Sequence, residues 1–206
     1  MIKHIWFDFS ETITAISNEA HNNLRYQTYS EAVGKPITPD LIAEYEDLYK
    51  KHNHSNSAIF HALGIPAGFW SKVINALDPK THYSLMSDDI PEVLEEMSKI
   101  IPISIFSNIN LDKVLPAVGV KPTLFTHILS ASEVRNPKPA LDGYKRIIEL
   151  SVLAPEEILY IGDDVGKDVI PAKTVGIKTG VVFERQSKAD YSFVDFEDIL
   201  KFVKEN

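Results

Sequence analysis

His4-Ile5-Trp6-Phe7-Asp8-Phe9-Ser10-Glu11-Thr12 opens with an apolar run that ends on an acid. A second run of the same kind, Ile158-Leu159-Tyr160-Ile161, ends in Gly162-Asp163-Asp164, with Asp168 close behind. Runs this short and this apolar read as buried strands. A carboxylate at the end of a buried strand is costly unless something balances its charge. Two such ends side by side in a parallel sheet gather acidic oxygens. That set suits a hard divalent cation, and Mg²⁺ is the usual occupant beside phosphate. One carboxylate can then act as a nucleophile while the ion neutralises the group it attacks.

Outward from Asp8, the pattern alternates. Strands are expected at 2–8, 100–106, 126–129, 158–161 and 177–183, with a short sixth at 191–194. Between them, helices are expected from Asp88-Asp89-Ile90-Pro91-Glu92 onward, then at 111–118, 141–150, 167–175 and 196–203. Residues 15–85 differ: helices at 16–34, 38–52, 55–63 and 66–77, stopped by Gly34, Gly64 and Asp78-Pro79, with no convincing strand. Strands alternating with helices predict an α/β fold, a three-layer, Rossmann-like parallel sheet with right-handed crossovers. The expected division is a core of 1–14 and 86–206 with a helical cap inserted at 15–85. Ligands bind at the carboxyl ends of such strands, where Asp8, Ser107 and Asp163 fall.

The 206 residues suffice for one core domain carrying a smaller insertion, and 44% hydrophobic with 24% charged residues is ordinary for a globular protein. A net charge of −8 argues against a nucleic-acid surface. An acidic protein that takes up an anion needs a metal or a placed Lys to overcome its own field. The absence of cysteine excludes disulfides, Cys-ligated zinc and thiolate catalysis. Lys3 and Asp8 interrupt any signal-peptide pattern, and no window approaches the ~20 apolar residues of a membrane helix. The expectations are a cytoplasmic protein, without a membrane or nucleic-acid partner, as a monomer or homodimer.

Four segments, in order, carry a resemblance: Asp8-Phe9-Ser10-Glu11-Thr12, Ser107 after Ile103-Ser104-Ile105-Phe106, Asn136-Pro137-Lys138-Pro139, and Gly162-Asp163-Asp164-Val165-Gly166-Lys167-Asp168. Together they resemble the haloacid dehalogenase superfamily, mostly phosphatases and phosphomutases, over nearly the whole chain. The resemblance implies Mg²⁺-dependent hydrolysis of a small phosphorylated metabolite through an aspartyl-phosphate on Asp8. It implies that Ser107, with Asn108 beside it, and Lys138 hold the transferring phosphoryl group. Mg²⁺ would be held by Asp8, the backbone carbonyl of Ser10 and Asp163, with Asp168 acting through water or pairing with Lys138. Asp164 either touches metal-bound water or caps the following helix.

Ser10 departs from the pattern, because the superfamily usually carries there a second Asp, its general acid and base. A hydroxyl cannot shuttle a proton near neutral pH as a carboxyl can, and such help is worth ~10²–10⁴ in rate. Three outcomes follow: a substrate with a good leaving group such as an acyl phosphate, a substitute such as Glu11 or a cap residue, or a catalytically impaired phosphate- or partner-binding relative. Two other chemistries of the superfamily stand as alternatives. A dehalogenase uses no metal and needs a cap Arg, for which Arg25 is the one candidate. A phosphonatase needs a cap Lys, with Lys50, Lys51 and Lys72 available. His52, His54 and His61 do not share one helical face, which argues against a transition-metal site.

Overall fold

Six parallel strands form one sheet in the computed structural model, which describes residues 1–66, 68–183 and 188–205. In chain order the strands are β1 (His4–Phe7), β2 (Thr14–Ile16), β3 (Tyr83–Leu85), β4 (Ile103–Ser107), β5 (Ile128–Ser130), β6 (Ile158–Gly162), β7 (Lys178–Val182) and β8 (Tyr191–Phe193). The sheet runs β5-β4-β1-β6-β7-β8, all pairs parallel. β1 therefore lies at its centre, with Phe7 opposite Ile105 on one side and Ile161 on the other. From β1 the chain winds outward through β4 to β5, then returns to build the other half from β6. The carboxyl ends of β1, β4 and β6 flank this reversal, the place where open α/β sheets bind ligands.

Alternation along the strands divides the core between two faces. Ile5 and Phe7 of β1, Ile103 and Ile105 of β4, and Leu159 and Ile161 of β6 pack in one cluster with Val93, Leu94 and Met97 of helix Ile90–Ser98 and with Ile199 of helix Phe196–Glu205. Trp6, Phe106 and Tyr160 face the other way, onto Tyr144 and Ile147 of helix Leu141–Ser151 and Ala172 of helix Ile170–Thr174. This accounts for the three layers. The first cluster continues without a break into Tyr29, Tyr45, Phe60 and Trp70 of the helical stretch.

That stretch holds helices Asn18–Val33, Pro39–Lys51, Asn56–Ala62, Phe69–Asn75 and Pro79–His82. Thr38 and Ser55 cap the second and third, each hydroxyl accepting a backbone N–H, and Gly34 ends the first with a positive φ of 68°. Four expectations are corrected. Residues 15–85 are not free of strand: β2 and β3 pair antiparallel where the stretch leaves and rejoins the sheet, Ala15 opposite Ser84. Each is three residues long, too short for a period, and each exists only because its distant partner is present. Asp78-Pro79 ends one helix and also starts another, since the Asp78 side chain accepts from Lys80 N–H and Pro79 stands at the first helical position. The helix expected at 167–175 begins earlier, as a π-helical turn over Val165–Val169 that passes into Ile170–Thr174. The helix expected at 66–77 spans Phe69–Asn75, and Ala67 lies outside the described residues. No helix among the described residues is long and apolar enough to cross a membrane.

Candidate active site

Asp8 follows the last residue of β1, and its backbone N–H is bonded to Ile161 O at 2.8 Å, which ties the end of β1 to the end of β6. Its carboxylate is 2% exposed. Lys138, equally buried, reaches it from a loop 130 residues away, Nζ to Oδ1 2.6 Å. The same ammonium donates to Tyr160 OH at 2.8 Å and to Asp168 Oδ1 at 3.1 Å. Its backbone is clamped as well. Lys138 N–H donates to Asn108 Oδ1 at 2.8 Å, while Asn108 Nδ2 and Ser55 Oγ donate to Lys138 O at 3.0 and 2.9 Å. The Lys138–Pro139 peptide bond is cis.

The Asp163–Asp168 turn contributes the remaining acids. Asp163, just past β6, brings an oxygen to the same place: one carboxylate oxygen each from Asp8, Asp163 and Asp168 lies within 4.8 Å of the others, a group that could hold a metal ion. Asp8 Oδ2 and Asp163 Oδ1 are buried and accept no hydrogen bond from the described residues. Lys167 comes within 3.4 Å of the first and 3.7 Å of the second, close enough for charge attraction without a hydrogen bond to either. Gly162 makes room for this packing, since a Cβ there would lie 2.6 Å from Asp168 Cγ. Asp164 plays a different part. Its Oδ1 accepts from Gly166 and Lys167 N–H at 2.7 and 2.8 Å, capping the π turn, and its Oδ2 lies 3.1 Å from His54 Nδ1.

Burial pushes Asp8, Asp163 and Asp168 toward the neutral form, and the lysines decide which of them resists. Burial would raise the Asp8 pKa, but Lys138 and Lys167 outweigh it and hold the carboxyl below its ordinary range. Asp163 is pushed up to about 7, first by burial and then, against the pull of Lys167, by the charges of Asp168 and Asp8. Burial also raises Asp168, against the pull of Lys138. The centre therefore contains one stabilised carboxylate beside a second whose charge lacks a full partner.

One open cavity of about 420 Å³ fronts this cluster. Asp8, Ser10, Ser107, Asn108, Lys138, Asp163 and Asp164 all line it, and Asp168 sits behind, bonded to Lys138. Residues 5–182 match the profile of the haloacid dehalogenase-like hydrolase family. The chain belongs to that family. A stretch of 94 residues is 29% identical to glyceraldehyde 3-phosphate phosphatase of Methanocaldococcus jannaschii, spanning 42% of this chain and 41% of that protein's length. The fold superposes on a HAD phosphatase of Thermococcus onnurineus at a TM-score of 0.70, 18% identity and 98% coverage of each chain. It superposes on L-2-haloacid dehalogenase of Xanthobacter autotrophicus at 0.68, 18% identity and 99% coverage of each. Phosphatases and dehalogenases share this architecture, so the site has to separate them.

Several residues of this haloacid dehalogenase-like hydrolase that sequence reasoning left without a role stand at the site. Lys167 lies four residues after Asp163, a spacing at which a Lys on a turn of helix meets an acid, and that was its one signal. Tyr160 was read as a strand residue, yet its hydroxyl meets both Lys138 and Asp168. Ser55 carried no signal. Asn108, expected beside the substrate, has its amide committed to Lys138 and Ser55. Ser107 Oγ accepts Ile109 N–H at 3.3 Å and lines the cavity. Of the residues weighed for other chemistries, Arg25 lines the cavity whereas Lys50, Lys51 and Lys72 do not. His54 and His61 go separate ways, to Asp164 and Asn136.

Proposed function

We propose that this chain is a Mg²⁺-dependent phosphatase of small phosphorylated metabolites, with Asp8 as the nucleophile and residues 15–85 as the cap over the site. The observation that carries the reading is the buried cluster itself. Asp8 is kept ionised by Lys138 and Lys167, with one oxygen free of hydrogen bonds. An ionised, desolvated carboxylate with an open lone pair is what attack on phosphorus needs.

The orphaned oxygens Asp8 Oδ2 and Asp163 Oδ1 support a cation, because three carboxylates face two ammonium groups and leave the cluster one positive charge short. Asp8, Asp163 and the carbonyl of Ser10 would hold Mg²⁺, with Asp168 close by, and the bound ion would supply charge neutralisation at the phosphoryl oxygens. The chain's own residues do the rest. A carboxylate oxygen of Asp8 forms a bond to phosphorus as the ester oxygen leaves with its electron pair. Lys138, donating to Asp8 and fixed at its backbone by Asn108 and Ser55, orients that carboxylate and offsets the incoming anion. Ser107 Oγ–H, at the end of β4, is free to donate to a phosphoryl oxygen. Water then attacks phosphorus and gives up a proton to solvent, which balances the proton the departing ester oxygen takes from solvent; the bond to Asp8 breaks, inorganic phosphate leaves, and the carboxylate returns.

A dehalogenase would share Asp8 and could use Arg25, but it would have no use for the unpaired Asp163 oxygen. A phosphonatase would need a cap lysine in the cavity, and Lys50, Lys51 and Lys72 stand outside it. The test is phosphate release from acetyl phosphate and from a panel of phosphorylated metabolites. Turnover should require Mg²⁺, stop with chelator, and vanish in Asp8→Asn. Halide release from 2-haloacids in the presence of chelator would overturn the proposal.

A further inference from the structure

The cavity has a second polar end that the reaction above does not use. His21 and Arg25 lie four residues apart on helix Asn18–Val33, so they share one face, and both line the cavity. Arg25 is 7% exposed. Its guanidinium is fixed by Nη2 alone, which donates to Glu46 Oε1 at 2.6 Å and Tyr26 OH at 3.2 Å, and it stacks over Tyr49 with its carbon 4.7 Å from the ring centroid. Its Nε is buried and has no hydrogen-bond partner among the described residues.

His21 shows the same deficit, and its tautomer can be read from its neighbours. Tyr45 OH has Asn56 Oδ1 as its acceptor, which turns the Asn56 amide so that Nδ2 donates to His21 Nε2 at 3.0 Å. A ring nitrogen that accepts leaves the proton of a neutral imidazole on the other one. That other nitrogen, Nδ1, is buried and has no partner among the described residues. The ring is kept neutral by burial and then by the Arg25 charge, which lower its pKa to about 4.

Two buried N–H donors on adjacent turns of one helix, neither with an acceptor among the described residues, are an unusual arrangement, because buried donors are almost always paired. We propose that His21 Nδ1–H and Arg25 Nε–H form the recognition site for a carboxylate on the leaving group, so that the substrates are short phosphorylated acids. The inference rests on the phosphatase reading of Asp8. Two donors and one positive charge suit a group with two acceptor oxygens. A hydroxyl would satisfy them less completely, and an ammonium, itself only a donor, could pair with neither and would meet the Arg25 charge. Trp70, whose ring meets that of His21 edge-on at 5.6 Å, and Ile74 and Tyr83 supply an apolar wall for the short carbon chain between phosphate and carboxylate.

The test uses the full chain with Mg²⁺ and three phosphate esters of equal length, ending in a carboxylate, a hydroxyl or an ammonium. The carboxylate ester should exceed the hydroxyl ester in kcat/KM by about 10- to 100-fold, mainly through KM, with the ammonium ester slowest. Arg25→Lys, which keeps the charge and removes Nε–H, and His21→Phe, which keeps a ring against Trp70, should each bring the ratio to within a few-fold of one. Equal kcat/KM for the carboxylate and hydroxyl esters in the native chain would overturn the proposal whether or not either variant folds, and so would folded variants that keep the preference. If acetyl phosphate and all three esters go unhydrolysed, the phosphatase reading fails, and binding decides the subsite by itself. The equal-length alkylphosphonates are then titrated by tryptophan fluorescence. At least 10-fold tighter binding of the carboxylate form sustains the subsite, and equal affinity removes it.

Discussion

Replacing Lys138 by Met takes the central cation out of a buried cluster of carboxylates. Asp8, Asp168 and Lys138 are 2%, 0% and 1% exposed, and the ammonium lies 2.6 and 3.1 Å from the two carboxylates. Removing one partner of a buried ion pair typically costs about 3–5 kcal/mol, because the other charge stays buried and uncompensated. Lys167 offsets part of this for Asp8, at 3.4 Å, and less for Asp168, at 4.0 Å. The lower end, about 3 kcal/mol, is therefore expected, and for a domain of this size that lowers Tm by about 6–12 °C. Urea unfolding followed by circular dichroism, with chelator present so that no cation stands in for the lysine, measures it. If the cause is the stranded charge, Asp168→Asn added to Lys138→Met should recover about half of the loss or more. A loss below about 1 kcal/mol, or a double variant no more stable than the single one, would refute the electrostatic account.

Three further outcomes follow from named contacts. Ser10→Asp should raise hydrolysis of alkyl phosphates by about 10²–10⁴ while changing acetyl phosphate turnover far less, since only the poorer leaving group needs a proton; steady-state rates on both substrates check it. Gly143→Ala should destabilise despite the helix propensity it adds, because a Cβ would lie 2.0 Å from Phe106 Cζ; a net loss of about 1–2 kcal/mol in urea unfolding is expected once overpacking is set against the gain of roughly 1 kcal/mol. His4 is buried, bonded to Ser104 at 2.9 Å, and its pKa is lowered to about 4 by burial and then by His127. The unfolded chain takes up that proton near pH 6.5 and the folded chain does not until about pH 4. His4 thus contributes stability that is complete above 6.5 and is lost as pH falls through that window, about 3 kcal/mol at most. His4→Gln should flatten the pH dependence of unfolding between 6.5 and 4.

The parallel sheet is legible residue by residue because its strands are buried on both faces. Ile103-Ser104-Ile105-Phe106 and Ile158-Leu159-Tyr160-Ile161 announce themselves without any partner. The β2–β3 ribbon is not legible, because three-residue strands carry no period and owe their existence to pairing across some seventy residues of helix. The π turn at Val165–Val169 is hidden for a related reason: the Asp164 cap and the packing of Asp168 behind Gly162 shape it. At the site, the acids stand out as polar residues at the ends of apolar runs. Lys138, flanked by prolines, stands out less, Arg25 stands out only as the one Arg of 15–85, and Lys167 and Ser55 look like ordinary surface residues.

Short-range pattern by itself determined the α/β class, the strands of the parallel sheet, the helical character of 15–85 and the acids at the ends of β1 and β6, because side-chain periodicity and burial are local properties of the chain. Folding alone decided that Lys138 would lie between Asp8 and Asp168, that Tyr160 would turn its hydroxyl to the same ammonium, and that His21 would bury one ring nitrogen against Asn56. Those facts depend on contacts between residues far apart in sequence and on the loss of water around them. Charge and protonation respond to both, and neither leaves a mark on the order of the amino acids.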